Sequence, residues 1–159
     1  MAKKEDKTNV CRLLDAKKLS YNVRTYDPEV AIAGVDVAAV LGLDAPRMFK
    51  PLVTTGKTGA HYVFMVPVAE ELDLKKAAKA VGEKSIEMLK SKELLPLTGY
   101  IHGGCSPIGM KKFFPTVCHE SALAQDTIYF SAGKIGVQVE MKPQDLEKII
   151  RLDWSDIIV

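Results

Sequence analysis

Residues 48–68 read MFKPLVTTGKTGAHYVFMVPV, and this stretch decides the fold class. Two runs rich in β-branched and aromatic residues flank Gly56 and Gly59, a pattern that predicts a β-hairpin. Pro51 has no backbone N–H to donate, so it suits only an edge, a bulge or a bend. An antiparallel hairpin among irregularly alternating helices and strands favours a mixed α/β sheet over a doubly wound parallel one.

The segments on either side of the hairpin have helix and strand patterns of their own. The clearest helix is LDLKKAAKAVG, residues 72–82, in which Asp73 can cap the first turn and Gly82 ends the last. Further helices are predicted over 9–17 behind Thr8, over 34–42, near the end of 85–99 before Pro96, and over 142–152 with Pro143 in the first turn. Strands are predicted over 21–27, early in 85–99, and over 113–121, 127–133 and 135–141.

The composition is that of one compact domain over residues 1–159. Hydrophobic residues make up 47% of the chain and charged residues 26%. No run approaches the roughly 18 apolar residues of a membrane span, and the start MAKKEDKTNV lacks the apolar stretch of a signal peptide. We therefore expect a soluble, cytoplasmic protein. With 22 Lys and Arg against 20 Asp and Glu, any nucleic-acid contact must come from a local basic face.

The cysteines and histidines raise two alternatives to a purely structural role. Cys11, Cys105 and Cys118 are odd in number and form no CxxC pair, which argues against a disulfide framework. His102 lies three residues before Cys105, but Cys118 and His119 are adjacent and cannot easily chelate one ion, so we expect no metal site. Cys105 or Cys118 as a nucleophile beside a histidine, or as a buried inert thiol, both stay open.

A glycine-rich loop is the most unusual local feature. Residues 99–112, GYIHGGCSPIGMKK, place four glycines within eleven residues, more than a hairpin needs. The loop fits neither the Walker motif nor GxGxxG. Either it is a main-chain cradle whose N–H groups receive an anion or a carbonyl oxygen, or it is a structural turn.

Lysines supply the remaining candidates. Lys50 lies between Phe49 and Pro51 in an apolar strand, where it either reaches a ligand or extends its stem toward solvent. Lys111 and Lys112 close the glycine-rich loop. They belong to a basic set that is either solvated or in contact with phosphates.

The order of these motifs resembles the YbaK/ProX family of aminoacyl-tRNA deacylases, which also occurs as an editing insertion in bacterial prolyl-tRNA synthetases. The resemblance rests on RMFKPLV, LDLKKAAKA, TGYIHGGCSPIGMKK, PTVCHES and IYFSAGKIGVQVEM, and it extends over residues 10–152. Within the family the chain is most similar to the free-standing Cys-tRNA(Pro) deacylases. The resemblance implies a single α/β domain with a mixed, partly barrel-like sheet surrounded by short helices.

The resemblance also implies an activity and partners. Family members hydrolyse tRNA(Pro) mischarged with a small amino acid, because size alone cannot exclude such an amino acid from a proline pocket. No cofactor is implied. Mischarged tRNA(Pro) is the expected substrate, and prolyl-tRNA synthetase is the expected partner in a transient complex.

Residue roles follow from the same resemblance. Lys50 matches a functional lysine that is expected to meet the substrate backbone or the terminal adenosine phosphate. Gly103 and Gly104 would polarise the ester and stabilise its oxyanion through their main-chain N–H groups. Gln138 stands where relatives carry an aspartate, which leaves the amino-acid preference open. The other implied substrate-binding residues are Tyr26, Ser106, Ser131, Lys111 and Lys112.

This chemistry needs no nucleophile from the protein. The thiol of a cysteinyl ester can attack its own carbonyl, with the entropy advantage of an intramolecular reaction. The alternatives are an Ala-tRNA(Pro) deacylase, a non-catalytic RNA- or nucleotide-binding module built on the same loop, and a small-molecule hydrolase that uses Cys105.

Overall fold

The structure, a computed structural model, describes residues 7–29 and 34–159. Within these ranges helices and strands alternate irregularly. The helices are α1 (Asn9–Ala16), α2 (Gly34–Val40), α3 (Leu74–Val81), α4 (Ser91–Thr98) and α5 (Pro143–Leu146). The strands are β1 (Asn22–Thr25), β2 (Phe49–Gly56), β3 (His61–Pro67), β4 (Ile86–Met88), β5 (Thr116–His119), β6 (Ile128–Lys134), β7 (Val137–Met141) and β8 (Leu152–Ser155).

The strands of the described residues form two sheets. One is antiparallel and has the order β1-β7-β6, and the other has the order β4-β2-β3-β5-β8. In the second sheet β3, β5 and β8 run parallel, whereas β2 and β3 are the predicted hairpin. The mixed α/β class is thereby confirmed. The strands lie in two open sheets and do not close into a barrel.

The hairpin explains how a proline fits within a strand. Residues 49–55 of β2 pair with residues 61–67 of β3. On its other side β2 pairs with β4 only through residues 54–56. Pro51 therefore lies where that side of β2 is not paired with β4, which is an edge position that needs no donor.

The two sheets meet just before β2. Met48 forms an isolated parallel bridge with Tyr129 of β6. The preceding Arg47 places its guanidinium carbon 5.1 Å from the centre of the Tyr129 ring and donates to the carbonyl oxygen of Thr127 at 3.4 Å. Its Nη2 lies 3.5 Å from Oε2 of Glu140 in β7. This junction fixes the second sheet against the first.

Helices α1 and α3 begin where the sequence predicts. The Thr8 hydroxyl caps α1, and Oδ1 of Asp73 accepts the N–H groups of the first turn of α3 at 3.0 Å. Gly82 ends α3 in the left-handed conformation, with φ at 74°. α1 packs into the core formed with β6 and β7, and α3 packs into a second core beside β3. No helix in the described ranges is long and apolar enough to cross a bilayer.

The C-terminal region differs from the sequence prediction. The helix expected over 142–152 is regular only from Pro143 to Leu146, and Leu152 already belongs to β8. β8 pairs in parallel with β5, a contact between distant segments that local periodicity does not report. Earlier in the chain, α4 continues through Pro96 and ends at Gly99, slightly beyond the predicted end.

The carboxylate at the sheet junction should make stability depend on pH. Glu140 accepts hydrogen bonds from Thr127 (2.6 Å) and Asn22 (3.3 Å). Although burial opposes ionisation, these bonds and Arg47 hold the pKa of Glu140 below its usual value. A lowered pKa stabilises the fold above the unfolded pKa, about 4.3, and the contribution is lost as the pH falls through the folded pKa.

We predict that Glu140→Gln lowers the free energy of unfolding at pH 7 by about 1 to 3 kcal/mol, because it removes charge-assisted hydrogen bonds. The loss of stability between pH 5 and pH 3 should also be smaller than in the wild type. Urea denaturation across this pH range measures both effects, with Glu87→Gln, a change at an exposed strand glutamate, as the control. Wild-type stability and pH dependence in Glu140→Gln would contradict the role of this carboxylate.

Candidate functional site

A cavity of about 440 Å³ is lined by both sheets and by the glycine-rich loop. β2 contributes Lys50, β6 contributes Ser131 and β7 contributes Gln138. Tyr26 follows β1, and Gly103 belongs to the loop after α4. The volume lies in the range of pockets for small organic ligands, roughly 300–1,000 Å³. Five residues that the sequence analysis named for a site therefore share one cavity.

The alternation of β2 explains the position of Lys50. Phe49 is 2% exposed and belongs to the main core, whereas Lys50 is half-buried and lines the cavity. The Lys50 ammonium donates to the carbonyl oxygen of Val68 at 3.4 Å. That long bond leaves most of the donor capacity of the ammonium unused. The Lys50 ammonium is thus able to donate to a ligand in the cavity.

Gln138 has the most informative unmet hydrogen-bonding group in the site. Its side chain is 6% exposed, and its Oε1 accepts no hydrogen bond from any described residue. The register of the first sheet places Gln138 between Ser131 of β6 and Arg24 of β1. A buried acceptor without a donor costs roughly 1 to 3 kcal/mol. In the wall of a cavity, such an acceptor is free to pair with a donor that enters the cavity.

Ser131 and Tyr26 complete the polar part of the wall. Ser131 is 7% exposed, and its Oγ accepts the N–H of Gly133 at 3.1 Å, which leaves the hydroxyl proton available to a ligand. The N–H of Tyr26 donates to the carbonyl oxygen of Gly136 at 2.9 Å. The turn between β6 and β7 thus holds Tyr26 at the cavity.

Gly103 and Gly104 are adjacent in the glycine-rich loop but have different structural roles. Gly103 has φ at +86°, in the left-handed region that favours glycine, and it lines the cavity. Its N–H donates to no group among the described residues. The N–H of Gly104 donates to the carbonyl oxygen of Ile101 at 3.0 Å. A Cβ on Gly104 would lie 3.2 Å from the main-chain nitrogen of Ile135, so Gly104 packs the loop closely against the β6–β7 turn.

The structure does not bring all the named residues into this cavity. Gly104, Ser106, Lys111 and Lys112 lie outside its wall. Ser106 is fully buried, and its Oγ accepts the N–H of Ile108 at 3.3 Å, so it shapes the loop from within. The two lysines are exposed farther along the loop. Of the two adjacent loop glycines, only Gly103 lines the cavity.

The cysteine thiols are poorly suited to nucleophilic attack. Cys105 lines the cavity, but burial raises the pKa of its thiol to about 12 despite an opposing hydrogen bond from Thr98. Burial also raises the pKa of Cys118 well above its usual range. Since the thiolate is the nucleophile, both thiols are inert near neutral pH. Within residues 7–29 and 34–159 there is no group of three or more His, Cys, Asp and Glu that could hold a metal ion.

A chain of serine, histidine and aspartate lies elsewhere in the fold. The Ser121 hydroxyl lies 2.8 Å from Nδ1 of His119, and Nε2 of His119 lies 3.3 Å from Oδ1 of Asp156. The same Nδ1 also accepts the Ser121 N–H, which caps the following 3₁₀ turn. None of the three residues lines the cavity. We interpret these hydrogen-bonded residues as a structural link between β5 and the C-terminal segment. Local sequence motifs could not predict the link, because Asp156 is distant in sequence from His119 and Ser121.

Comparison with known proteins identifies similar chains. Residues 27–149 match the model of a family described as the aminoacyl-tRNA editing domain. A protein of Enterococcus faecalis, provisionally named a Cys-tRNA(Pro)/Cys-tRNA(Cys) deacylase, EbsC, is 43% identical over 160 residues, which are 99% of this chain and 98% of that protein. A proline–tRNA ligase of Pelobacter propionicus is 36% identical over 77 residues, which are 48% of this chain and 13% of the ligase.

Solved structures share the fold. A crystal structure described provisionally as a trans-editing enzyme for prolyl-tRNA synthetase has a TM-score of 0.82 at 22% identity, over 96% of this chain and 99% of that chain. A second crystal structure, of a protein described only as hypothetical, has a TM-score of 0.87 at 20% identity, over 96% of this chain and all of that chain.

Oε1 of Gln138 has no hydrogen-bond donor among the described residues, so it should lower the free energy of unfolding of the ligand-free protein. We predict that Gln138→Met raises the free energy of unfolding by about 1 kcal/mol, because an apolar side chain of similar length replaces a buried acceptor that has no donor. Urea denaturation measures the change. Gln144→Met alters an exposed glutamine and should have no comparable effect. Destabilisation by Gln138→Met alone would mean that Oε1 is hydrogen-bonded in the free protein.

Proposed function

Because the chain belongs to the aminoacyl-tRNA editing domain family, we propose that it deacylates tRNA(Pro) mischarged with cysteine. Aminoacyl-tRNA deacylation is the activity of the family and of the relative from Enterococcus faecalis as it is named. The choice of cysteine and of tRNA(Pro) is our proposal. It is supported by that relative and by the likeness to part of a proline–tRNA ligase.

One observation carries the proposal. The cavity combines a half-buried cation at Lys50, a buried acceptor at Gln138 and a main-chain N–H at Gly103, beside a thiol at Cys105 that stays protonated. An aminoacyl ester on a terminal adenosine offers the matching groups: a phosphate anion, an ammonium donor and a carbonyl oxygen. A cavity with these groups and no activated nucleophile suits a substrate that supplies its own nucleophile.

Each group of the cavity then has a role toward the substrate. Gln138 Oε1 accepts a hydrogen bond from the α-ammonium, and the free proton of the Ser131 hydroxyl donates within the same wall. The N–H of Gly103 donates to the ester carbonyl oxygen and stabilises the negative charge that develops there. Lys50 meets the phosphate of the terminal adenosine. Tyr26 closes the amino-acid side of the cavity.

The reaction is an intramolecular displacement. The substrate thiolate attacks its own ester carbon, so that a carbon–sulfur bond forms and the bond to the 3′ oxygen of the tRNA breaks. The 3′ oxygen leaves with a proton from water or from the neighbouring ribose hydroxyl. Water then opens the resulting cyclic thioester to free cysteine. The protein holds the conformation and stabilises the oxyanion, and positioning of this kind lowers the barrier substantially.

The proposal extends to partners and location. We expect the chain to act in trans, in a transient complex with prolyl-tRNA synthetase, since a likeness to part of this domain occurs within a proline–tRNA ligase. The site of action is then the cytoplasm, where tRNA is charged. A non-catalytic RNA-binding module is the alternative, and release of free amino acid from charged tRNA by the purified protein distinguishes the two.

Lys50→Ala should reduce deacylation strongly. Removal of a half-buried cation that contacts substrate raises the barrier by about 2 to 5 kcal/mol, a loss in kcat/KM of roughly thirtyfold to a few thousandfold. Rates on Cys-tRNA(Pro) measure the effect, with Lys57→Ala, a change at an exposed hairpin lysine, as the control. Cys105→Ala should keep substantial activity and EDTA should change nothing. Wild-type rates in Lys50→Ala, or loss of activity in folded Cys105→Ala, would overturn these assignments.

Cysteinyl and seryl esters of the same tRNA should react at very different rates. The two amino acids differ by one atom, and a pocket separates substrates of such similar size by only about 1 to 3 kcal/mol. A thiol with a pKa of about 8.5 is far more ionised near neutral pH than an alcohol. The cysteinyl rate should rise with pH as the substrate thiol ionises. Equal rates for the two esters, or a faster alanyl ester, would mean that water is the nucleophile.

A further inference from the structure

A second cavity, of about 450 Å³, is lined by the later residues of the glycine-rich loop and by the end of α1. Its floor is apolar and includes Ile108, Phe114 and Ile149. Lys17 from the end of α1 and Lys112 from the loop contribute the cationic part of its lining. Nothing in the chemistry proposed above uses this cavity.

Phe113, which also lines this second cavity, is unusually exposed. Its side chain is 84% accessible, whereas Phe49, Phe64 and Phe130 are fully buried in the cores. An exposed aromatic ring that continues an apolar cavity lining is typical of an interaction site. The face of the Phe113 ring can stack against a planar group of a partner.

The charge around the second cavity indicates what that partner is. Lys17, Lys111 and Lys112 make no ion pair with any described residue. The nearby acids along the chain are engaged: Asp15 pairs with Lys7, Asp145 pairs with Lys148, and Glu147 accepts a hydrogen bond from Trp154. Among residues 7–29 and 34–159, the lysines of this lining therefore have no ion-pair partner. Aromatic faces beside unpaired cations are the usual means of binding single-stranded nucleic acid.

The two cavities are neighbours along one loop. Cys105 lines the first and Pro107 lines the second, with the buried Ser106 between them. Two residues span at most about 7 Å of chain. The walls of the two cavities therefore come within about 7 Å of each other at this point of the loop.

We propose that the second cavity binds unpaired nucleotides near the 3′ end of the tRNA, with a base stacked on Phe113 and phosphates against Lys17 and Lys112. This inference rests on the proposed function, because it takes the RNA to be the rest of the same substrate. Stacking on an aromatic ring tolerates every base, and single-stranded ends expose their faces. The second cavity thus holds the RNA, and the first holds the ester.

The test is direct binding of a fluorescein-labelled single-stranded RNA heptamer that ends in CCA, measured by anisotropy without any hydrolysis. Phe113→Ala should weaken binding on the order of tenfold, the scale of one base–aromatic stack, and Phe113→Trp should retain it. Lys112→Ala should weaken binding and reduce the slope of log affinity against log salt by about 0.7, the value for one phosphate contact with a single strand. Val159→Ala and Lys84→Ala, at an exposed apolar residue and an exposed lysine outside both cavities, are the controls.

The outcomes separate this inference from the proposed function. In one outcome no deacylation is measured, but Phe113→Ala weakens RNA binding and Phe113→Trp retains it. The second cavity then binds RNA, and the proposed deacylase function is wrong. If deacylation occurs but the wild type does not bind the heptamer, or Phe113→Ala binds it equally well, the inference is overturned. A change of oligomeric state in Phe113→Ala with unchanged RNA binding, measured by sedimentation, would instead assign the face to a protein interface.

Discussion

The bridge between Met48 and Tyr129 is the constraint on which the rest of the structure depends. It fixes the start of β2 against β6, and the Arg47 guanidinium over the Tyr129 ring reinforces it. Because one sheet carries Lys50 and the other carries Gln138, the first cavity exists only while the sheets keep this relation. Met48 itself lines the cavity, so this contact helps to set the distance between Lys50 and Gln138.

Some polar groups at the cavity and in the adjoining loop are unavailable to a ligand, and others are available. The thiol at the cavity is kept protonated, one loop glycine has its N–H engaged, and the serine beside it is turned into the loop. What remains open are a cation, an amide oxygen, a hydroxyl proton and one main-chain N–H. Under the proposed function, such a set would orient and polarise the substrate, and bond formation would fall to the substrate itself.

Local signals in the sequence predicted much of the fold and part of the site. The hairpin, the capped helix after Asp73 and the clustering of Lys50 with Ser131 follow from periodicity, capping chemistry and motif resemblance. β8 was missed because it exists through parallel pairing with β5, far away in sequence. The different structural roles of Gly103 and Gly104 could not be predicted from the sequence either. Adjacent glycines are distinguished only by their hydrogen bonds and neighbours in the fold.

The protonated thiol at the cavity wall has a consequence for redox chemistry. Disulfide exchange requires a thiolate, and a pKa of about 12 leaves Cys105 almost none at cellular pH. In a site that receives cysteinyl esters and releases cysteine, a reactive wall thiol would be trapped as a mixed disulfide whenever the cell became oxidising. Under the proposed function, burial of Cys105 would therefore protect the site from forming a mixed disulfide with its own product.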